Sequence, residues 1–270
     1  MIIEIINLLS IGLASHSFRS RVASEVPDHN QIINPQNLKS QEYLLRINKW
    51  SKNNLMELNL NKTKAMIFNF TNNYKFSTSL SLNDKPIELL DETKLLGTVI
   101  TTDLRWNRNT EEITKKAYSR MQILRKIVEF NQKPSDMVTI YISYIRSILE
   151  QSCQVWHSSL TQNNTDDLER VQKSAFQTIL GESYNSYEHA LDKLNMDTLV
   201  ERREKLCLRF AESCLSNEKT KNMFPINKKK NMKTRNREQF QVHQALTSRL
   251  KNSSIPYMQK LLNQKYATIK

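Results

Sequence analysis

The stretch Trp50–Phe70, WSKNNLMELNLNKTKAMIFNF, decides how the chain is read, together with KLLGTVITTDLRW at Lys94–Trp106. The first begins as the end of an amphipathic helix, turns at Asn59 and Lys62, and enters a short apolar strand at Ala65–Phe70. The second is a strand interrupted by Gly97 that leaves through Asp103. Upstream, Leu38, Leu45, Ile47 and Trp50 give Gln36–Asn54 a loose helical spacing. Further strands are predicted at Thr78–Leu82, Ile87–Leu90 and Leu95–Thr101, and Asn83-Asp84 is a hairpin turn signal. The result is a small antiparallel β unit.

After Trp106 the pattern becomes helical. Ile113, Ala117, Met121, Leu124 and Val128 recur at spacings of three and four. Pro134 opens a second helix with Met137, Tyr141, Tyr144, Ile148 and Val155 on its stripe. A third is expected from about Thr165, with Asp166 and Asp167 at its positive end and Gly181 as its stop. A fourth spans Thr198 to Leu215. Thr198 and Glu201 have capping-box spacing, and Leu199, Leu206, Phe210 and Cys214 share a side. Gln239–Leu250 and Ser254–Asn263 are predicted as short closing helices. The fold class is α+β, predominantly α.

Composition agrees, since three glycines and six prolines in 270 residues disfavour a turn-dense β fold. The net charge is +13, and its placement is uneven. Residues 201–270 hold 17 Lys and Arg against 5 Asp and Glu, whereas residues 1–200 are almost balanced. The run from Lys219 to Arg237, with Lys228, Lys229, Lys230, Lys233 and Arg235 inside it, contains no acid. Such a run suits a polyanion, because each neutralised phosphate releases counterions; a solvated basic loop has the same composition. Cys153, Cys207 and Cys214 form an odd set without framework spacing, which points to a reducing, intracellular setting. Nothing in the residues separates nucleus from cytoplasm, although NKKKNMK at Asn227–Lys233 has the composition of an import signal. Met1–Ala14 is apolar but interrupted by Glu4 and Asn7. It is too short for a membrane span, so a buried helix or strand, or a start inside a truncated frame, is expected there. No membrane partner is expected.

The quoted segments resemble the end of the palm of LINE-type, jockey-like non-LTR retrotransposon reverse transcriptases. The family pattern W-x-x-x-N-x-x-x-L-N-x-x-K-T-x-x-M-x-F is met from Trp50 to Phe68. IRSILEQSCQVWHSSLTQNNTDDLERVQKSAFQTILG at Ile145–Gly181 resembles the region after the polymerase domain, with its L-E-x-V-Q-K-x-A run and terminal glycine. YNSYEHALDKLNMDTLVERREKLCLRFAESC is similar to the family's Y-x-x-A-L-x-x-L-x-x-x-T-L-x-x-R-R-x-x-L-x-x-x-F-A segment. Phe224-Pro225, Arg235 and SSIPYMQKLLN follow in order, so the resemblance runs from roughly Gln36 to Asn263.

Residues 1–35, with Pro27 and Pro35, are expected as an irregular N-terminal segment, and residues 219–237 as a basic loop. The resemblance implies a truncated palm remnant over 36–106, a thumb-like helical region over 107–181, and a helical C-terminal region over 182–270. It implies nucleic acid, an RNA template with a DNA primer, as partner. Leu96 and Gly97 take the place of the turn that grips the primer, although Gly97 is equally a sheet-bend glycine. Lys62 matches the motif lysine near the triphosphate, with Lys64 a weaker candidate and an exposed turn lysine the plainer reading. Lys115, Lys116, Arg120, Arg125 and Lys126 suit backbone contacts from the thumb. Lys228, Lys229, Lys230, Lys233, Arg235 and Arg237 suit the polyanion reading. Arg202 and Arg203 are expected to pair with Glu201 and Glu204.

The intact family implies Mg²⁺ held by an early palm aspartate and an aromatic-x-Asp-Asp turn. The only Asp-Asp here is Asp166-Asp167, read as compensating a helix dipole. The offset from the palm helix puts the missing pair near SFRSRVASE at Ser17–Glu25, so the upstream portion of the polymerase is absent and no cofactor or catalytic residue is expected in this chain. Cys153, His157, Cys207 and Cys214 lack a C-x₂-C element, so buried thiols are favoured over zinc. The expected function is a catalytically incomplete polymerase fragment with template–primer binding potential. A standalone helical RNA- or DNA-binding module co-opted from such an element, or a product without a role, are the alternatives.

Overall fold

The computed structural model describes residues 2–7, 39–68, 80–130, 132–227, 239–244 and 247–268. The chain divides into two compact units, Met1–Lys94 with Ile100–Leu104, and Leu95–Val99 with Arg105–Lys270. Helices predominate, accompanied by small sheets, which is the α+β class expected.

The first unit contains β1 (Ile2–Asn7), α1 (Lys39–Asn53), β2 (Thr63–Phe68), β3 (Ser81–Leu82), β4 (Lys85–Pro86) and β5 (Glu88–Leu89). Strand β1 pairs antiparallel with β2 from Ile2 opposite Phe68 to Asn7 opposite Thr63, so part of the segment expected to be irregular is a strand. Strand β5 joins the other edge of β2 in parallel, Lys64 opposite Glu88. This corrects the antiparallel expectation: nothing local in residues 87–90 reports which strand they will meet. Between β3 and β4, Asn83 and Asp84 take φ of 51° and 59°, the two left-handed positions of a type I′ turn. Leu44, Leu58, Ala65, Leu80, Leu82 and Ile87 form the core. Leu44 is buried and Leu45 half exposed, so the buried face of α1 lies one position from that expected. The reason is that Asn48 and Ser51 continue the Leu44 face, where an apolar count cannot see them. The Gln41 side chain both donates to Ser81 O (2.7 Å) and accepts from Ser81 N (3.0 Å), fixing β3 to α1. Leu38, Asn69, Phe70, Thr78 and Ser79 of the predicted elements lie outside the described residues.

Strands β6 (Glu92–Leu95) and β7 (Thr98–Thr101) form a hairpin whose tip, Leu95–Val99, belongs to the second unit. That unit continues as helices. In α2 (Asn107–Val128), Ile113, Ala117, Met121 and Leu124 are buried as their spacing predicts, whereas Val128 at the helix end is exposed, and the helix packs on the one formed by Gln162–Leu180. Helix α3 (Pro134–Ile140) carries its proline at the first turn, where no N–H is needed. It runs without a break in helical backbone into a π segment, Tyr141–Arg146, and then α4 (Ser147–Leu149). The chain turns at Ser152, φ 53°, before α5 (Cys153–Trp156). Of the expected stripe, Met137, Tyr141 and Ile148 are buried, but Tyr144 and Val155 are exposed and Ile145 and Leu149 take their place. The π segment is the cause, since i→i+5 bonding changes the spacing at which side chains return to one face.

Helix α6 (Gln162–Leu180) is capped by Thr161, whose hydroxyl accepts from Asn164 N (3.2 Å), one turn earlier than expected. Asp166 and Asp167 therefore sit in its second turn, where Asp166 accepts from Gln162 (2.8 Å) and Asp167 from Arg170 (2.7 Å). Gly181, φ 51°, ends it as expected. Helix α7 (Tyr187–Leu194) was unforeseen, although Ser186 caps it. Helix α8 (Leu199–Leu215) has the complete Thr198–Glu201 capping box, worth about 1 kcal/mol. Its buried face is Leu199, Arg203, Cys207, Ala211 and Cys214, while Phe210 is exposed. A buried arginine in the stripe is what displaced the expected face. The chain closes with α9 (Ser248–Lys251) and α10 (Ser254–Thr268); residues 239–244 are not helical, contrary to expectation. Cys207, Ala211 and Cys214 pack with Phe224, Phe240, Met258, Leu261 and Leu262.

Candidate nucleic-acid interface

The hairpin tip is a two-residue turn in which Leu96 and Gly97 have φ of 49° and 89°. Its place in the helical unit is set by two side chains. Asn109 Oδ1 accepts from Val99 N (3.0 Å), and Gln151 Nε2 donates to Leu96 O (3.1 Å). The φ of 89° favours glycine at position 97, and a Cβ there would stand 2.3 Å from Gln151 Nε2, so that the end of the Gln151 side chain would have to move. The Leu96 side chain projects outward, 77 % exposed on a residue type that rarely adopts this backbone.

Beyond the tip lies α2. Lys115, Arg125 and Lys126 are exposed on its outer side, where no buried residue of that helix lies. Lys116 is half-buried. Arg120 is differently employed: it donates to Tyr144 O (2.7 Å) and its guanidinium stands 4.3 Å over the Tyr144 ring. The five cations thus separate into an outward group and a packed pair. A shallow groove beside them is lined by Thr110, Glu111, Thr114 and Tyr118 of α2 and by Asn164 and Arg170 of α6.

Lys62 and Lys64 belong to the other unit. Lys62 is exposed in a turn where its own N–H donates to Asn59 Oδ1 (3.2 Å). Lys64 is ion-paired with Glu88 across the parallel strands. Lys228, Lys229, Lys230, Lys233, Arg235 and Arg237 lie outside the described residues. The residues flanking them are held together, because Asn227 N donates to Gln239 O (2.9 Å) and Gln241 N to Pro225 O (2.8 Å). Asn263 of α10 clamps Phe240 through both its N–H (2.8 Å) and its carbonyl (2.9 Å). Asn227 and Gln239, the described residues on either side of the basic stretch, are therefore neighbours.

Several polar residues inside the quoted family-like segments prove to be joined in the interior. Tyr141 donates to Gln172 Oε1 (2.6 Å), and Gln172 Nε2 donates to Tyr187 Oη (2.7 Å) and Asp197 O (3.0 Å). Tyr187 donates to Glu169 Oε2 (2.6 Å), while Glu169 Oε1 accepts from Val200 N (3.0 Å) in the first turn of α8. Burial raises the Tyr141 and Tyr187 phenols above their ordinary values, with the Glu169 carboxylate adding to the rise at Tyr187, so both remain donors at neutral pH. These residues tie the π segment, α6, α7 and α8 together. Their spacing in the sequence carries no sign of it.

A second polar cluster surrounds Arg203. Arg202 and Arg203 do not pair with Glu201 and Glu204 as expected. Arg202 Nε donates to Glu150 (3.0 Å), which also meets Arg146 Nε at 3.1 Å. Arg203 is fully buried; its Nε donates to His157 Nδ1 (3.3 Å), its guanidinium lies 5.7 Å from the Trp156 ring centre, and Nη1 and Nη2 have no hydrogen-bond partner among the described residues. Desolvation, and then the adjacent Arg203 cation, pull the His157 pKa down to about 4. Cys153, Cys207 and Cys214 are buried free thiols, and among the described residues no group of His, Cys, Asp or Glu side chains has the arrangement of a metal site. Among the described residues no helix is long and apolar enough to cross a membrane.

Neither family models, nor curated proteins, nor solved structures yield a match to this chain.

Proposed function

We propose that this chain is a fragment of a retrotransposon RNA-directed DNA polymerase that retains template–primer binding without catalysis. The observation that carries the reading is the hairpin tip: Gln151 and Asn109 hold Leu96-Gly97 on the helical unit that also carries the outward cations Lys115, Arg125 and Lys126. A turn held by two side-chain hydrogen bonds, with the exposed Leu96 at its tip, can meet a nucleic-acid strand, and the lysines and arginine supply sequence-independent attraction. The basic composition of residues 219–237 adds a second source of charge in the sequence. Ordered agreement with the family patterns from Trp50 to Asn263 supplies the polymerase assignment.

Fluorescence anisotropy with a labelled RNA–DNA hybrid tests binding across a salt series. The expected result is an affinity that falls linearly in log–log form with salt. Replacing Lys115, Arg125 and Lys126 by Gln should lower the slope by about 2–3. No binding at low salt, or a slope unmoved by these changes, would overturn the reading. Primer extension on an RNA template with Mg²⁺ should give no product; template-dependent extension would remove the catalytically incomplete part.

A further inference from the structure

The groove between α2 and α6 is lined by polar groups that the fold leaves unused. Its volume is about 370 Å³, a size suited to a small ligand. At one end Asn107 Oδ1 accepts from Asn164 Nδ2 (2.8 Å), joining the two helices. That bond leaves the Asn107 amide donor and the Asn164 carbonyl acceptor without a partner among the described residues. Thr110 stands in the groove wall, 2 % exposed, and its hydroxyl has no hydrogen-bond partner among the described residues either. Thr114 differs, since its hydroxyl is engaged with Thr110 O and Glu111 O. Tyr118 closes the lining. It is 36 % exposed, and its side chain makes no ring contact or hydrogen bond among the described residues.

Charge narrows what can enter. The groove carries two carboxylates, and each is already matched: Glu111 by Arg108, and Asp167 by Arg170 (2.7 Å). What remains is a neutral donor and acceptor side by side, a hydroxyl and an aromatic face. A flat heterocycle with a hydrogen-bonding edge is the complement of that set. Cations follow along the same helix. Lys115 is exposed next to Thr114, and Arg125 is exposed seven residues beyond Tyr118, about 10 Å further along the same side of α2.

We propose that the α2–α6 groove is a binding site for one unpaired base of a single-stranded nucleic acid. The base stacks on Tyr118, Asn107 and Asn164 meet its edge, and the adjoining backbone passes over Lys115 and Arg125. Every base has a π face, so the stacking tolerates any sequence, while the two amides respond to the edge. A base inside a duplex has both faces covered and its edge paired, so it cannot be seated here. The inference rests on the nucleic-acid reading of this helical unit and adds a strand that the hairpin tip does not hold.

The test is fluorescence anisotropy of the full chain with three labelled probes of equal length: a single-stranded RNA, the same strand with abasic residues throughout, and a blunt RNA–DNA hybrid. The natural strand should bind about tenfold more tightly than the abasic one, which carries the same phosphates. Tyr118→Leu should erase that difference and Tyr118→Phe should keep it, with hybrid affinity and its salt slope unchanged in both. Asn107→Ala should weaken the natural strand about threefold and leave the abasic strand as it was. Tyr118 and Asn107 are both exposed, and circular dichroism identifies any variant that has lost its fold. The proposal is overturned if natural and abasic strands bind alike, if Tyr118→Leu leaves their difference intact, or if it weakens the hybrid equally. Any of these with the hybrid still bound leaves the template–primer reading standing. A hybrid that fails to bind, while the natural strand binds through Tyr118, would remove that reading and keep the groove.

Discussion

Two polar clusters are buried within the helical unit, and they were built to opposite standards. The one through Tyr141, Gln172, Tyr187 and Glu169 is closed: each member meets a partner between 2.6 and 3.0 Å, and the chain of bonds ends on the N-terminus of α8. The one around Arg203 is open: the guanidinium makes one 3.3 Å side-chain bond, to His157, and its Nη1 and Nη2 have no hydrogen-bond partner among the described residues. The same low-polarity interior strengthens the first and penalises the second. A closed network specifies how helices meet; an open one holds unbalanced charge. The contrast gives Glu169, Gln172 and Tyr187 a structural role and leaves Arg203 as a buried cation with few partners among the described residues.

The comparison can be broken most directly at Gln172. Gln172→Leu strands the Tyr141 hydroxyl and Asp197 O and removes one of the two bonds of the Tyr187 hydroxyl, and should cost about 3–5 kcal/mol in stability measured by urea denaturation. A loss below 1 kcal/mol would mean that the network is not closed in solution. Next in size is a pH effect on the open cluster. His157 has a pKa of about 4 in the folded chain against 6.5 when unfolded. The unfolded state therefore binds more protons between these values. The contribution is complete above about pH 6.5 and is lost as pH falls toward 4, with an upper bound of about 3 kcal/mol. Thermal melts of wild type and His157→Asn across pH 4–7 should differ in slope, with the variant flatter. The smallest change is expected at Arg203 itself. Arg203→Met removes a poorly paired buried cation and should alter stability by no more than about 1 kcal/mol in either direction. A cost equal to that at Gln172 would erase the distinction between the clusters.

What the sequence revealed follows the range of the interactions involved. The Thr198–Glu201 capping box, the Gly181 stop and the Asn83-Asp84 turn are settled within four residues, and each was read correctly. The buried faces of α1 and α8 were displaced because Asn48, Ser51 and Arg203 occupy interior positions that apolar counting skips. The parallel β2–β5 pairing joins residues 24 apart, Lys64 and Glu88, through backbone bonds with no local signature. Helix α7 had a readable start at Ser186, but only eight residues gave its periodicity little weight. In the candidate site, Gly97 was legible as a special backbone position. Gln151, which fixes that turn from 55 residues away, was not, nor was the diversion of Arg120 onto Tyr144.

The π segment at Tyr141–Arg146 has a consequence for chain length. A π turn accommodates a residue more than the α turn it replaces. The helix from Pro134 to Leu149 therefore holds one residue in reserve, between the buried side chains of Tyr141 and Ile145. Removing one residue there would let the segment close into ordinary α-helix and would rotate everything after it by about 100°. Arg146, Glu150 and the tip-anchoring Gln151 would all change direction together. A relative that lacks this extra position must either re-aim its hairpin or pay back the missing residue nearby, so a one-residue gap here marks a change in the site that lies beyond it.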